Sequence, residues 1–178
     1  MLEEIKKYDL NFNESVFINK ADRIFIMILD AIMEKNINNI KHYISDNVYN
    51  DLNQLVSSYN EKNIIRIFDE MNIKSTEIMN VNIYDNKLFI TVKLISRYMD
   101  YFIDPDTGNY ISGINDHRIE TEHIIEFVKN TDAKEIGLTI NCNTCGNSMN
   151  INDSGICPFC KNIIDMSKYD YIIHQFII

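Results

Sequence analysis

Apolar positions in the first third of the chain recur at helical spacing. From Glu14 to about Lys35, Phe17, Ala21, Ile24, Ile28 and Ile32 fall on one stripe. Phe25, Leu29 and Met33 widen it, so the pattern predicts a helix buried on most of its girth. Asn13, immediately before Glu14, is placed to cap its start. Asp22, Arg23, Asp30 and Glu34 rule out a lipid-facing span. A second helical region covers about Ile37 to Tyr59, with Ser45 placed as an N-cap in its middle. Ile64, Ile67 and Phe68 share one side of a shorter predicted helix from Asn63 to Met71.

The period then drops to two. Ile78 to Tyr84, Lys87 to Ile103, Tyr110 to Ile114 and His117 to Val128 are rich in Ile, Val, Tyr and Phe and predict strands. Asp85-Asn86 is a two-residue hairpin signal. Asp104-Pro105-Asp106-Thr107-Gly108 reads as a longer turn, and without a distal Glu in a twelve-residue loop it lacks the usual calcium pattern. The final residues, Ser167 to Ile178, alternate Tyr169, Tyr171, Ile173 and Ile177 with Ile172, His174 and Phe176. Apolar side chains on both faces call for cover on both, so this segment is expected to return to the main sheet as its last strand. Helices followed by long strands predict an α+β fold, with N-terminal helices packed on a curved antiparallel sheet.

Two Cys-x-x-Cys pairs change the picture near the C-terminus. Cys142-Asn143-Thr144-Cys145 and Cys157-Pro158-Phe159-Cys160 use all four cysteines. Two residues between paired cysteines let one tight turn present both sulfurs to a single ion, and two such turns complete a tetrahedral site. Gly146 and Gly155 flank these turns. The chemistry points to one structural Zn2+ on Cys142, Cys145, Cys157 and Cys160, although iron could occupy the same thiolates. A thioredoxin-like role needs one reactive pair opening a helix, and disulfides need an oxidising compartment. The zinc ribbon, residues 137–166, then becomes an insertion before the last strand, leaving 1–136 and 167–178 as the α+β domain.

Charge narrows the partners. The 178 residues carry 17 Lys+Arg against 26 Asp+Glu, a formal charge of -9. Between Gly137 and Met166 the only basic side chain is Lys161. Nucleic acid is therefore not an expected partner, and anionic lipid is disfavoured, because both reward clustered cations. The start, Met1-Leu2-Glu3-Glu4, lacks the order of a signal peptide, and a cytoplasmic location is expected.

Several segments in order carry a family resemblance: Tyr8-Asp9-Leu10-Asn11-Phe12, the helix Phe17 to Met33, Ile44-Ser45-Asp46-Asn47-Val48-Tyr49, and Tyr98-Met99-Asp100-Tyr101. Thr107-Gly108 leading to Ser112-Gly113, the stretch Cys145 to Gly155 and Tyr169-Asp170-Tyr171 complete the set. The chain resembles bacterial Tim44-like proteins that end in a zinc ribbon, relatives of the C-terminal domain of the mitochondrial import-motor anchor. That resemblance implies the cone fold shared with nuclear transport factor two, in which a curved sheet wraps helices around an apolar pocket. It also implies a non-enzymatic role: docking a protein partner or apolar segment, with a link to membrane-associated transport and peripheral contact with a membrane. The competing class is a small-molecule enzyme of the isomerase-like cone fold, using Asp100, Tyr98 and His123. A Tyr or His on a half-buried strand ordinarily packs and makes one hydrogen bond, and an Asp beside a turn is ordinarily solvated, so no catalytic residue is assigned. His42, His117 and His174 are scattered and share no spacing with the cysteines.

Overall fold

The protein is described by a computed structural model covering residues 1–133, 139–142, 144–150, 156–162 and 164–176. A short helix α1 (Leu2–Lys6) buries Ile5 and leads into α2 (Glu14–Met33). The side chain of Asn13 accepts a hydrogen bond from the Val16 N–H, satisfying one of the amides that a helix start leaves open. A 3-10 segment (Ile37–Tyr43) follows, then α3 (Asp46–Glu61), capped by Ser45 through the Val48 N–H.

Three long strands come next: β1 (Ile65–Tyr84), β2 (Lys87–Ile103) and β3 (Tyr110–Asn130). They pair antiparallel, and β6 (Ile172–Phe176) adds to β3, giving the order β1-β2-β3-β6. Between β3 and β6 lies a small two-stranded sheet of β4 (Thr139–Asn141) and β5 (Ser148–Asn150). Asp85 and Asn86 both have φ near +50°, the backbone of a type I′ turn, whose twist suits two antiparallel strands.

One row across the main sheet explains how its two faces are used. Ile90 pairs with Phe127, which pairs with Ile173, and all three are fully buried beneath the helices. Each such side chain contributes roughly 2 kcal/mol relative to exposure. Their immediate neighbours Phe89, Val128 and Ile172 form the adjoining row, which faces the other way. That outer row joins Ile140, Met149, Ile164 and Met166 in a second apolar cluster. The four-cysteine segment therefore packs on the back of the sheet, and β6 is apolar on both faces because each face meets a different core.

α2 crosses the inner face. Its Phe25 ring lies 4.7 Å from the His123 ring, Phe17 lies 5.2 Å from Phe127, and Asp22 accepts from the Thr76 hydroxyl. Ile24, Ile28 and Ile32 fill the space between, with Val92, Leu94 and Ile125 opposite. These aliphatic and aromatic side chains occupy the middle of the fold, where the resemblance implied an apolar pocket.

The segment Asn63 to Met71 is a correction: it is not a helix but a turn at Asn63 followed, from Ile65, by the start of β1. Ile65 to Asp69 pair in unbroken register with Ile103 to Met99. The strand carries apolar side chains on both faces, Ile67 on one and Phe68 on the other, so no clean period of two shows. The bulge comes only afterwards, where Glu70 has φ +50° and the register slips between Asp69↔Met99 and Asn72↔Arg97. The two strands expected at Tyr110 to Ile114 and His117 to Val128 are one continuous strand. The terminal strand begins only at Ile172, after a 3-10 turn (Met166–Lys168), and Ile177 lies outside the described residues.

Candidate metal centre

The four cysteine sulfurs lie within 4.8 Å of one another, and none is in a disulfide. Cys142 Sγ is 3.6 Å from Cys160 Sγ, and Cys145 Sγ is 3.6 Å from Cys157 Sγ. A tetrahedral ion with metal–sulfur bonds of about 2.3 Å would separate its sulfurs by about 3.8 Å, so the set fits a four-thiolate ion such as zinc.

Each pair of cysteines is held by the same backbone device. The Cys142 N–H donates to the Asn147 carbonyl and the Gly146 N–H to the Cys142 carbonyl. In the second turn the Cys157 N–H donates to the Asn162 carbonyl and the Lys161 N–H to the Cys157 carbonyl. Gly146 and Lys161 sit at equivalent positions, both with positive φ, +73° and +63°. The repeat Cys-x-x-Cys-x-Asn carries this equivalence in the sequence. Metal-ligand spacing alone does not mark the asparagines, but their recurrence fifteen residues apart, each two residues after a Cys-x-x-Cys, is the signal that does. Asn147 Nδ2 also donates to Cys145 Sγ, and Asn162 Nδ2 donates to Thr144 Oγ1, tying one turn to the other. Gly155 lies outside the described residues.

The electrostatics favour a bound cation. Backbone N–H groups of Cys145 and Thr144 push the Cys142 thiol down to about 6, and the Asn147 N–H lowers Cys145. The Asn162 N–H acts the same way on Cys160, but burial and the neighbouring sulfurs outweigh it and leave that thiol at about 12. Four thiolates this close repel one another, and a divalent cation removes the conflict.

The residues of the competing enzyme reading do not form an open site. Tyr98 and His123 are both buried, His123 at 4% exposure, with His123 Nε2 3.0 Å from the Ser96 hydroxyl. Burial pushes the His123 imidazole down to about 4. Asp100, expected to be solvated beside a turn, is instead gripped by Arg66 through two hydrogen bonds of 2.9 and 2.8 Å. Arg66 also reaches the Tyr59 hydroxyl, so the ion pair ties α3 to β1 and β2. In the Asp104 turn, the carboxylate accepts from the Asp106 and Thr107 N–H groups and from the Thr107 hydroxyl.

A cleft of about 650 Å³ opens where the N-terminal segment, the end of β3 and the approach to β6 meet. Inside it Asp9 accepts from Lys129 at 2.8 Å and from the Tyr171 hydroxyl at 2.9 Å, while Lys20 pairs with Asp170 at 2.6 Å. Burial lowers the Lys20 ammonium and, with Asp9 beside it, raises the Tyr171 phenol. Leu10 and Val16 stand at its mouth at 86% and 65% exposure. Nothing in the hydrophobic periodicity marked this cleft, because its wall is assembled from both ends of the chain.

These features define an α+β module with a four-cysteine appendage. The sequence profile of the Tim44-like domain matches residues 1–137, and the chain belongs to that family. The match stops short of Cys142, so the four-cysteine segment lies beyond the family's domain. Among solved structures, the intermembrane space region of the chloroplast protein ARC6 aligns at 7% identity with a TM-score of 0.43, covering 64% of this chain and 85% of that one. No curated protein matches the chain.

Proposed function

We propose that the protein is a non-enzymatic docking module, which binds an apolar segment of a protein partner at the cleft beside Leu10 and Val16, and whose ribbon is closed by one structural Zn2+. The observation that carries the reading is the contrast between a sealed core and this cleft. The polar groups best suited to catalysis, Tyr98, Asp100 and His123, are buried or ion-paired away from solvent. The cleft instead offers exposed apolar side chains over satisfied charge pairs, the composition of a surface that binds a side chain rather than transforms a substrate. Membership of the Tim44-like family supports a role linked to protein transport. The formal charge of -9 disfavours nucleic acid as the partner.

The same proposal places the module in the cytoplasm, where unpaired thiols stay available for a metal, and allows contact with a membrane through the partner. No helix among the described residues is long and apolar enough to cross a membrane. In the metal site Cys142, Cys145, Cys157 and Cys160 would be the ligands, and a closed four-sulfur set leaves no position for a substrate.

Affinity capture with the zinc-loaded full chain tests the reading. Leu10→Asp and Val16→Asp alter exposed positions, so the fold should persist while recovery of the partner falls about tenfold, the cost of burying one unpaired charge in an apolar contact. Recovery equal to that of the unaltered chain, or turnover of a small substrate abolished by His123→Ala, would contradict it.

A further inference from the structure

The four sulfurs do not meet solvent equally. Cys142 and Cys157 are buried and Cys160 is partly covered, whereas Cys145 is exposed. An oxidant reacts with the thiolate it can reach, which makes Cys145 the point of attack. In a set whose sulfurs all lie within 4.8 Å of one another, Cys145 stands 3.6 Å from Cys157 and Cys142 stands 3.6 Å from Cys160, and both pairs run from one turn to the other.

Resting on the metal-centre reading above, we propose that the centre is a peroxide-responsive clasp that closes into a Cys145–Cys157 disulfide, then a Cys142–Cys160 disulfide, and gives up its metal. In the first step the Cys145 thiolate attacks one oxygen of hydrogen peroxide. The O–O bond breaks, hydroxide leaves, and the sulfur, oxidised by two electrons, becomes a sulfenic acid. The Cys157 thiolate then attacks that sulfur, the S–S bond forms and a second hydroxide leaves. Both hydroxides take protons from solvent, so each disulfide formed reduces one peroxide to two waters. A second peroxide converts Cys142 and Cys160 in the same way, and the ion, left without thiolates, dissociates.

Cross-turn pairing has a structural consequence. Bonds between the turns keep them together after the metal leaves, so β4 and β5 retain their contact with Phe89, Val128 and Ile172. Disulfides within each Cys-x-x-Cys would instead release one turn from the other. The oxidised protein is therefore expected to keep the ribbon on the sheet while losing the ion.

The test uses the full chain with its metal content measured first. One and then two equivalents of hydrogen peroxide are added, metal release is followed with a chromogenic chelator, and disulfides are mapped by peptide mass spectrometry without reduction. The expected result is release of the bound ion in step with thiol loss, Cys145–Cys157 appearing before Cys142–Cys160, and recovery of binding with dithiothreitol and Zn2+. Brief alkylation with iodoacetamide should label Cys145 ahead of the other three. Retention of metal and free thiols in excess peroxide, or disulfides within each turn, would overturn the proposal alone. A chain that holds no metal before peroxide is added refutes the metal-centre reading as well, which separates the two failures.

Discussion

Lys161 occupies a backbone position that the first cysteine turn gives to Gly146. A side chain at positive φ costs about 1 kcal/mol, and the second turn bears that cost where the first does not. Lys161→Gly should therefore tighten metal retention about fivefold in a competition titration against a chelator, the equivalent of that energy. Weaker retention would mean that the lysine side chain contributes something the backbone geometry does not reveal. His123 makes a different prediction, one of pH. Its folded value, about 4, lies below the ordinary imidazole value. The unfolded chain thus takes up the proton first, and the stability from the neutral ring is fully present above pH 6.5 and declines as pH falls toward 4. Across that window the loss approaches about 3 kcal/mol for a shift of this size. Urea melts at several pH values should show a flatter profile for His123→Leu than for the native chain, and equal slopes would contradict the assignment. Asp100→Asn, which strips the charge opposite Arg66, should cost about 1 kcal/mol by the same method, since one half-buried charge is left without its partner.

At the scale of elements, Gly113 shows how closely β2 and β3 approach. It has φ +107°, and a Cβ there would lie 2.5 Å from the Asp100 carbonyl oxygen and from Tyr101 Cα. Both obstacles are backbone, so Gly113→Ala should open the far end of the hairpin, with hydrogen exchange rising at Tyr101 and Phe102 while Ile90 to Leu94 stay protected. Ser45 links α3 to the last strand: its N–H donates to the Ile173 carbonyl and its hydroxyl to the His174 carbonyl. Ser45→Ala should cost about 1 kcal/mol, the ordinary worth of a cap, and loosen β6. The starts of α2 and α3 were legible because capping residues and helical spacing agree there. The first half of β1 was not, since Ile67 and Phe68 stand on opposite faces of the strand and, with Ile64 before it, give spacings that a helix also produces. That the four cysteines would gather was legible from spacing alone. Their seat on the back of the sheet was hinted only by the two apolar faces of Ile172 to Phe176, which demanded cover without saying what supplied it.

In the whole molecule, the sheet has two cores that share β6. The inner one joins the helices through Ile173, and the outer one joins the four-cysteine segment through Ile172. Deleting residues 167–178 removes a buried strand from both, so the thermal midpoint of the entire protein should fall, and an unchanged midpoint would refute this placement. Loss of the metal should act more locally. Structural zinc sites contribute on the order of 10 kcal/mol of binding free energy. Cys142→Ser should consequently unfold the segment around β4 and β5 while the contacts of α2 with the inner face persist. Metal content decides directly whether four thiolates close this ribbon. Elemental analysis of the full chain, purified without chelator under reducing conditions, should find about one zinc per chain, as a closed four-sulfur site requires. A value near zero with the cysteines paired as disulfides, or iron in place of zinc, would contradict it.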